Sequence, residues 1–350
     1  MTALHVKTLL IDFGNCTDPG AHRTINTILT RPTMNNISAI TSYLGANRSR
    51  YIDYQPERTL AEKLNVAVQA GLDGVELCYP ADFSDAAQLR SLLAGSGLGV
   101  SGVNFRSRRN GRWWRGSFTS ESATERDEVV DDLKKCMDLT AALDCDRITT
   151  CPLNDGHDYL FEMDYINAYA NAEDTFTRIC AHNAAIRISI EYKWTDPRAR
   201  CLLGNAGETL AFCQSVGASN LGVTMDFGHA RYAGERPAQS ACMLARARRL
   251  FYVHLNDNDG IWDWDMIPGA YSFWENIELF YYLKKIGYDN DWYACDVAAK
   301  EISTVATFQA VVATIRKLEA VSARLDTARI TDMLKQRNPA QTIQYLYSII

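Results

Sequence analysis

Seven times along this chain a stretch with helical hydrophobic spacing gives way to a short apolar run. GVELCY (74–79) follows the amphipathic ERTLAEKLNVAVQAGL, and GVSGVNF (99–105) follows DAAQLRSLLAGSGL. DRITTCPLN (146–154) follows a long segment whose apolar residues stand three and four apart. IRISIEYK (186–193), NLGVTMDFGH (220–229), LFYVHLND (250–257) and DWYACDV (291–297) repeat the arrangement, and the helical pattern EISTVATFQAVVATIRKLEAVSARL closes it. Short β-rich runs alternating strictly with helices predict a parallel sheet of the α/β class. An eighth strand is expected near the N-terminus, from VKTLLIDF or from a segment near AITSYLGA. Eight such units in roughly 300 residues fit a (β/α)8 TIM barrel better than a doubly wound sheet. No GxGxxG follows any run, which argues against a dinucleotide site. The expected organisation is a barrel over 1–322 and a C-terminal helical extension over 323–350, packed on the barrel or on a neighbouring subunit.

Composition excludes several classes. With 350 residues, 47% hydrophobic and 22% charged, the chain reads as a soluble globular protein able to bury a large core. The net charge of −6 and the absence of a long basic tract argue against nucleic-acid binding. No run of 18 apolar residues or cleavable leader is evident, so a cytoplasmic location is expected, without a membrane partner. None of the ten cysteines forms a CxxC pair, and several lie within apolar runs, where they read as small buried hydrophobes.

In a barrel of this kind the chemistry gathers at the C-terminal strand ends. There the last four runs place Glu191 and Lys193, then Asp226 and His229, then His254 with Asn256, and finally Asp296. One acid at a strand end is ordinarily a helix cap or turn former. Four strands in succession delivering carboxylates or an imidazole are different, because buried charges are costly unless paired or bound to a metal. A set of Glu, Asp, His and Asp with no cysteine suits Mn²⁺, Mg²⁺ or Co²⁺.

Glu191-x-Lys193, Asp226-x-x-His229, His254 followed by Asp263-x-Asp265, and then Asp296 resemble the pattern of the xylose isomerase-like barrel superfamily, closest to the rhamnose and xylose isomerase kind. The resemblance implies a first, structural metal held by Glu191, Asp226, His254 and Asp296. It implies a second, catalytic metal held by His229, Asp263 and Asp265. Lys193 would donate to the carbonyl oxygen, and Glu191, Asp263 and Asp265 join it as catalytic residues. Mn²⁺ is the expected ion, with Mg²⁺ or Co²⁺ as substitutes. The implied reaction is aldose–ketose isomerisation by hydride shift between C1 and C2. Related sugar 3-epimerases share the first metal site, but there the last ligand is usually Glu, where this chain has Asp296. A ketose 3-epimerase, or a metal-dependent lyase or deglycosidase, is the alternative.

Further substrate contacts are expected from the loops. NFRSRRNGRWWRGSFTS (104–120) has five arginines and two tryptophans. It suits a lid, with Trp113 and Trp114 stacking on sugar and the arginines able to meet a phosphate. Asn154 and His157, in CPLNDGHDY, are candidates for sugar hydroxyls, as are His229 and Asn256. Trp262 and Trp264 alternate with Asp263 and Asp265 and are candidates for excluding water. The expected partner is a small-molecule sugar, with the chain forming a homodimer or homotetramer.

Overall fold

The computed structural model describes residues 34–350 apart from positions 50, 110, 289 and 290. Eight parallel strands close into a barrel: β1 (Asn36–Ile40), β2 (Gly74–Tyr79), β3 (Gly99–Phe105), β4 (Arg147–Thr150), β5 (Arg187–Glu191), β6 (Leu221–Asp226), β7 (Leu250–Leu255) and β8 (Trp292–Cys295). Each strand pairs with the next in sequence, and β8 returns to pair with β1. The first strand is therefore the one near AITSYLGA; VKTLLIDF lies outside the described residues. An outer ring of helices includes α1 (Leu60–Ala70), α2 (Ala86–Ser96), α3 (Ala123–Ala141), α4 (Tyr165–Cys180) and α5 (Ala206–Val216). It continues through α6 (Phe227–Tyr232), α7 (Pro237–Arg246), α8 (Phe273–Lys285) and α9 (Thr304–Ser322).

Local chemistry sets the boundaries. Thr59 and Glu62 form a reciprocal capping box at the start of α1, and Gly71 ends that helix at φ 77°, a conformation glycine adopts without a Cβ penalty. Asp85, Ser122, Asp164 and Asn205 cap α2 to α5 with side-chain oxygens. DRITTCPLN supplies a strand only to Thr150, because Pro152 has no N–H for a ladder and the chain turns there.

At the N-terminal end of the barrel, Arg147 is fully buried beneath the Tyr252 ring, 4.1 Å from its centroid. Its Nη2 donates to both carboxylate oxygens of Asp291, at 2.7 and 2.9 Å. This closes the floor opposite the strand ends that bear the acids. Beyond α9, α10 (Thr327–Gln336) and α11 (Pro339–Tyr347) form the C-terminal extension. Tyr345 accepts a hydrogen bond from the Asp326 N–H and lies under Arg329, while Tyr347 meets Trp274 of α8 edge-on at 5.3 Å. No described helix is long and apolar enough to cross a membrane.

Candidate metal centre and substrate cavity

Glu191 ends β5 and Asp226 ends β6, while His254 lies one residue before the end of β7 and Asp296 directly follows β8. The ladder sets Asp226 opposite His254. Asp226 also caps α6, accepting the His229 N–H at 2.7 Å, and that single turn brings the imidazole back over the strand ends. One ligand atom from each of Glu191, Asp226, His254 and Asp296 lies within 4.8 Å of the others, and all four residues are buried. Asn256, fully buried, donates to Asp226 at 3.1 Å and to Asp296 at 2.9 Å, holding the two carboxylates together.

Glu76 on β2 completes this arrangement. Its Oε2 lies 3.0 Å from His254 Nε2, and both side chains are wholly buried. A proton on Nε2 donated to Glu76 leaves the Nδ1 lone pair facing the cluster, the arrangement that orients a metal-binding imidazole. Nδ1 lies 3.6 Å from Glu191 Oε2 and has no hydrogen-bond partner.

The charges are unbalanced in a way a cation corrects. Burial, reinforced by Asp226 and Asp265, pushes the Asp296 carboxyl well above the usual carboxylate range. Asp226 is also raised, chiefly by burial. Burial opposes ionisation of Glu191 as well, but the imidazoles of His254 and His229 outweigh it and hold the carboxyl at about 2. Three acids compressed around an unpartnered imidazole nitrogen fit a hard divalent ion, with no soft ligand in the set.

A second group rims the first. Lys193 Nζ lies 2.9 Å from Asp263 and 3.4 Å from Asp196. Despite burial, Asp263 and Asp265 keep the ammonium charged, with its pKa well above the ordinary lysine value. His229 Nε2 lies 3.1 Å from Asp263, and its Nδ1 lies 3.3 Å from Glu191. Burial disfavours its charged form, yet Asp226 and Asp263 carry the imidazole up to about 9. Tyr43 donates to Asp265 at 3.1 Å. The outer oxygens Oδ1 of Asp263 and Asp265 are buried without a partner. Among the described residues, His229, Asp263 and Asp265 do not converge as a second closed ligand set.

Above both groups opens a cavity of about 560 Å³, lined by Glu191, Lys193, His229, Asp263, Asp265 and Asp296. Five expected sugar contacts lie elsewhere, the first being Asn256, which is fully buried against Asp226 and Asp296 and does not line the cavity. Trp113 is buried and, with exposed Trp114, lines a different hollow of about 410 Å³. Asn154 donates to the Trp113 carbonyl, and His157 pairs with Tyr165 at 3.1 Å. Neither lines the larger cavity. Trp262 and Trp264 are 44% and 43% exposed and face Tyr232 and Lys300 rather than the cavity, because alternation along the loop sends the aspartates inward and the rings outward. Glu76 and Tyr43 lie outside the expected set, and Arg106 enters it only as one of the five arginines of the loop 104–120. A lone Glu inside the apolar run GVELCY is a signal for the first; nothing in sequence marks Tyr43.

Comparison with known proteins agrees with this architecture. Residues 64–318 match the model of the family described as xylose isomerase-like TIM barrel. The D-allulose 3-epimerase of Methylomonas sp., solved with D-allulose, superposes with a TM-score of 0.65 at 16% identity, covering 82% of this chain and 98% of that one. An L-ribulose 3-epimerase superposes at 0.66 with 19% identity, over 85% and 98%. A xylose isomerase domain protein of Alicyclobacillus acidocaldarius subsp. acidocaldarius gives 0.64 at 17%, over 83% and 99%. At these identities the likeness is one of fold. In sequence, an uncharacterized protein of Methanocaldococcus jannaschii is 34% identical over 111 residues, which is 31% of this chain and 36% of that protein.

Proposed function

The chain belongs to the xylose isomerase-like TIM barrel family, and from that premise we propose that it is a divalent-metal-dependent sugar isomerase interconverting an aldose and a ketose. The observation that carries this reading is the convergence of Glu191, Asp226, His254 and Asp296 at the floor of a polar cavity that also holds Lys193, His229 and Asp263. A divalent ion in this set, manganese by preference, supplies Lewis-acid polarisation of a carbonyl and the hydroxyl beside it.

The protein's own groups do the rest. Lys193 stands charged at the cavity wall, where it donates to the carbonyl oxygen as negative charge develops there. His229 and Asp263 form a hydrogen-bonded pair that positions and holds the proton exchanged between the two oxygens. Asn256 and Glu76 keep Asp226, Asp296 and His254 in place. The Oδ1 atoms of Asp263 and Asp265, buried without a hydrogen-bond partner, are the groups that would receive a second ion.

A second reading, epimerisation by proton transfer next to a carbonyl, is favoured by there being one closed ligand set among the described residues and by the Lys193–Asp263 pair, whose ammonium repels a second cation. A panel of aldoses and ketoses assayed with Mn²⁺ in deuterated water separates the two. Isomerisation with little solvent deuterium in product supports hydride shift, and epimerised product carrying deuterium supports proton transfer. An inert panel, or full activity in Glu191→Gln, overturns both. Replacing Asp263 and Asp265 together is expected to abolish turnover while Mn²⁺ still binds the first site.

A further inference from the structure

The cavity carries charge on two walls, and the metal centre accounts for only one. Most of the acids, Glu191, Asp196, Asp263, Asp265 and Asp296, follow β5, β7 and β8; the segments after β1 and β3 bring Arg48, Arg106 and Arg108 to the same space, with Glu57 as the one acid on that side. Most cations in this region are matched. Arg48 pairs with Asp53 and Glu57, at 3.1 and 3.0 Å, and Lys193 with Asp263. Within the arginine-rich segment, Arg109 pairs with Asp132 and Arg112 with Glu128.

Arg106 is not matched. Its Nη2 donates to Ser42 Oγ at 2.9 Å and contacts Cys78 Sγ at 3.7 Å, and no carboxylate among the described residues lies within ion-pair distance. Glu191 acts on it only from beyond ion-pair contact. Arg108, exposed on the same wall, pairs with no carboxylate among the described residues. Arg106 is half-buried; a guanidinium so placed without a carboxylate partner is costly, and its planar fork suits a carboxylate or phosphate.

We propose that Arg106, assisted by Arg108, binds an oxyanion of the substrate on the cavity wall that carries no metal ligand, so that the substrate is an acidic sugar, either a sugar carboxylate or a sugar phosphate. The inference rests on the isomerase reading for the identity of the ligand as a sugar, and it adds the substrate's charge. Ser42 and Cys78 position the fork without a carboxylate to pair it, and the open cavity supplies the remaining volume.

The test uses the full-length, manganese-loaded protein with neutral sugars, uronates and sugar phosphates of matched carbon skeleton. One charged hydrogen-bond pair corresponds to about 10- to 100-fold, so kcat/KM on an anionic sugar is expected to exceed that on its neutral counterpart by about that factor. Whichever class shows the preference, carboxylate or phosphate, identifies the anion. Arg106→Gln is expected to shrink the anionic-to-neutral ratio toward one, and the exposed Arg108→Gln to shrink it partly. The Arg108 variant carries the test if the Arg106 variant does not fold. Turnover of neutral and anionic sugars at equal kcat/KM, or an Arg106→Gln variant that slows both equally, overturns the oxyanion wall and leaves the isomerase reading standing. If no sugar turns over, yet calorimetry shows a uronate or sugar phosphate binding the wild type and not Arg106→Gln, the oxyanion wall holds and the isomerase reading falls.

Discussion

At the scale of single residues, the ligands and their support differ in how plainly sequence displays them. Glu191, Asp226, His254 and Asp296 each stand at the end of an apolar run, where an ionisable group is expensive unless something binds it, and four in succession point to one centre. Glu76 lies 178 residues from His254, and nothing local connects them. Only the closed barrel brings β2 across to β7. Because Glu76 fixes which imidazole nitrogen faces the cluster, Glu76→Gln is expected to weaken Mn²⁺ binding by about 10- to 100-fold, read by calorimetric titration. Unchanged affinity would remove Glu76 from the centre. The aromatic residues were the least legible, since Trp113, Trp114, Trp262 and Trp264 all neighbour functional sequence. Whether a ring faces the cavity depends on loop conformation, here including a left-handed Trp113 at φ 56°.

Among the elements, strands were legible nearly to their ends. GVELCY and GVSGVNF match β2 and β3 throughout, because buried parallel strands are continuous apolar runs bounded by glycine or a helix end. The longer readings 146–154 and 220–229 overran where β4 gives way to Pro152 and β6 to the single-turn helix α6. The loop after β3 could not be placed from sequence, because a distant acid pins it. Asp155 accepts hydrogen bonds from the N–H and hydroxyl of both Ser117 and Thr119, at 2.7 to 3.0 Å. Asp155→Ala leaves those buried donors unmatched and is expected to destabilise the protein by about 1–3 kcal/mol in denaturant unfolding. A change within about 0.5 kcal/mol would mean that the loop is held by other contacts.

For the whole molecule, the alternation along the chain foretold a barrel with one chemical end, and electrostatics shows how that end affects stability. Without a metal, His229 sits at about 9 in the folded chain against roughly 6.5 unfolded. Its stabilising contribution is complete below the unfolded value and disappears as pH rises through about 9. Asp265 and Asp296, both raised well above the unfolded carboxylate value chiefly by burial, act with the same sign, because the folded chain binds their protons more tightly. Glu191, lowered to about 2, acts oppositely, but only in the acid range between that value and its unfolded one. Metal binding replaces these protons and strengthens with pH. The gap in melting temperature between Mn²⁺-loaded and chelator-treated protein is therefore expected to widen from about pH 6 to about pH 8.5. A constant or narrowing gap would show that the buried acids are not where the ion binds.

The central claim, that four strand ends build one divalent-metal centre, is tested most directly by diffraction at the manganese absorption edge from crystals grown with Mn²⁺. The account predicts an anomalous peak enclosed by Glu191, Asp226, His254 Nδ1 and Asp296, which disappears in Glu191→Gln. A peak elsewhere on the molecule, or none between these four side chains at saturating Mn²⁺, would contradict it.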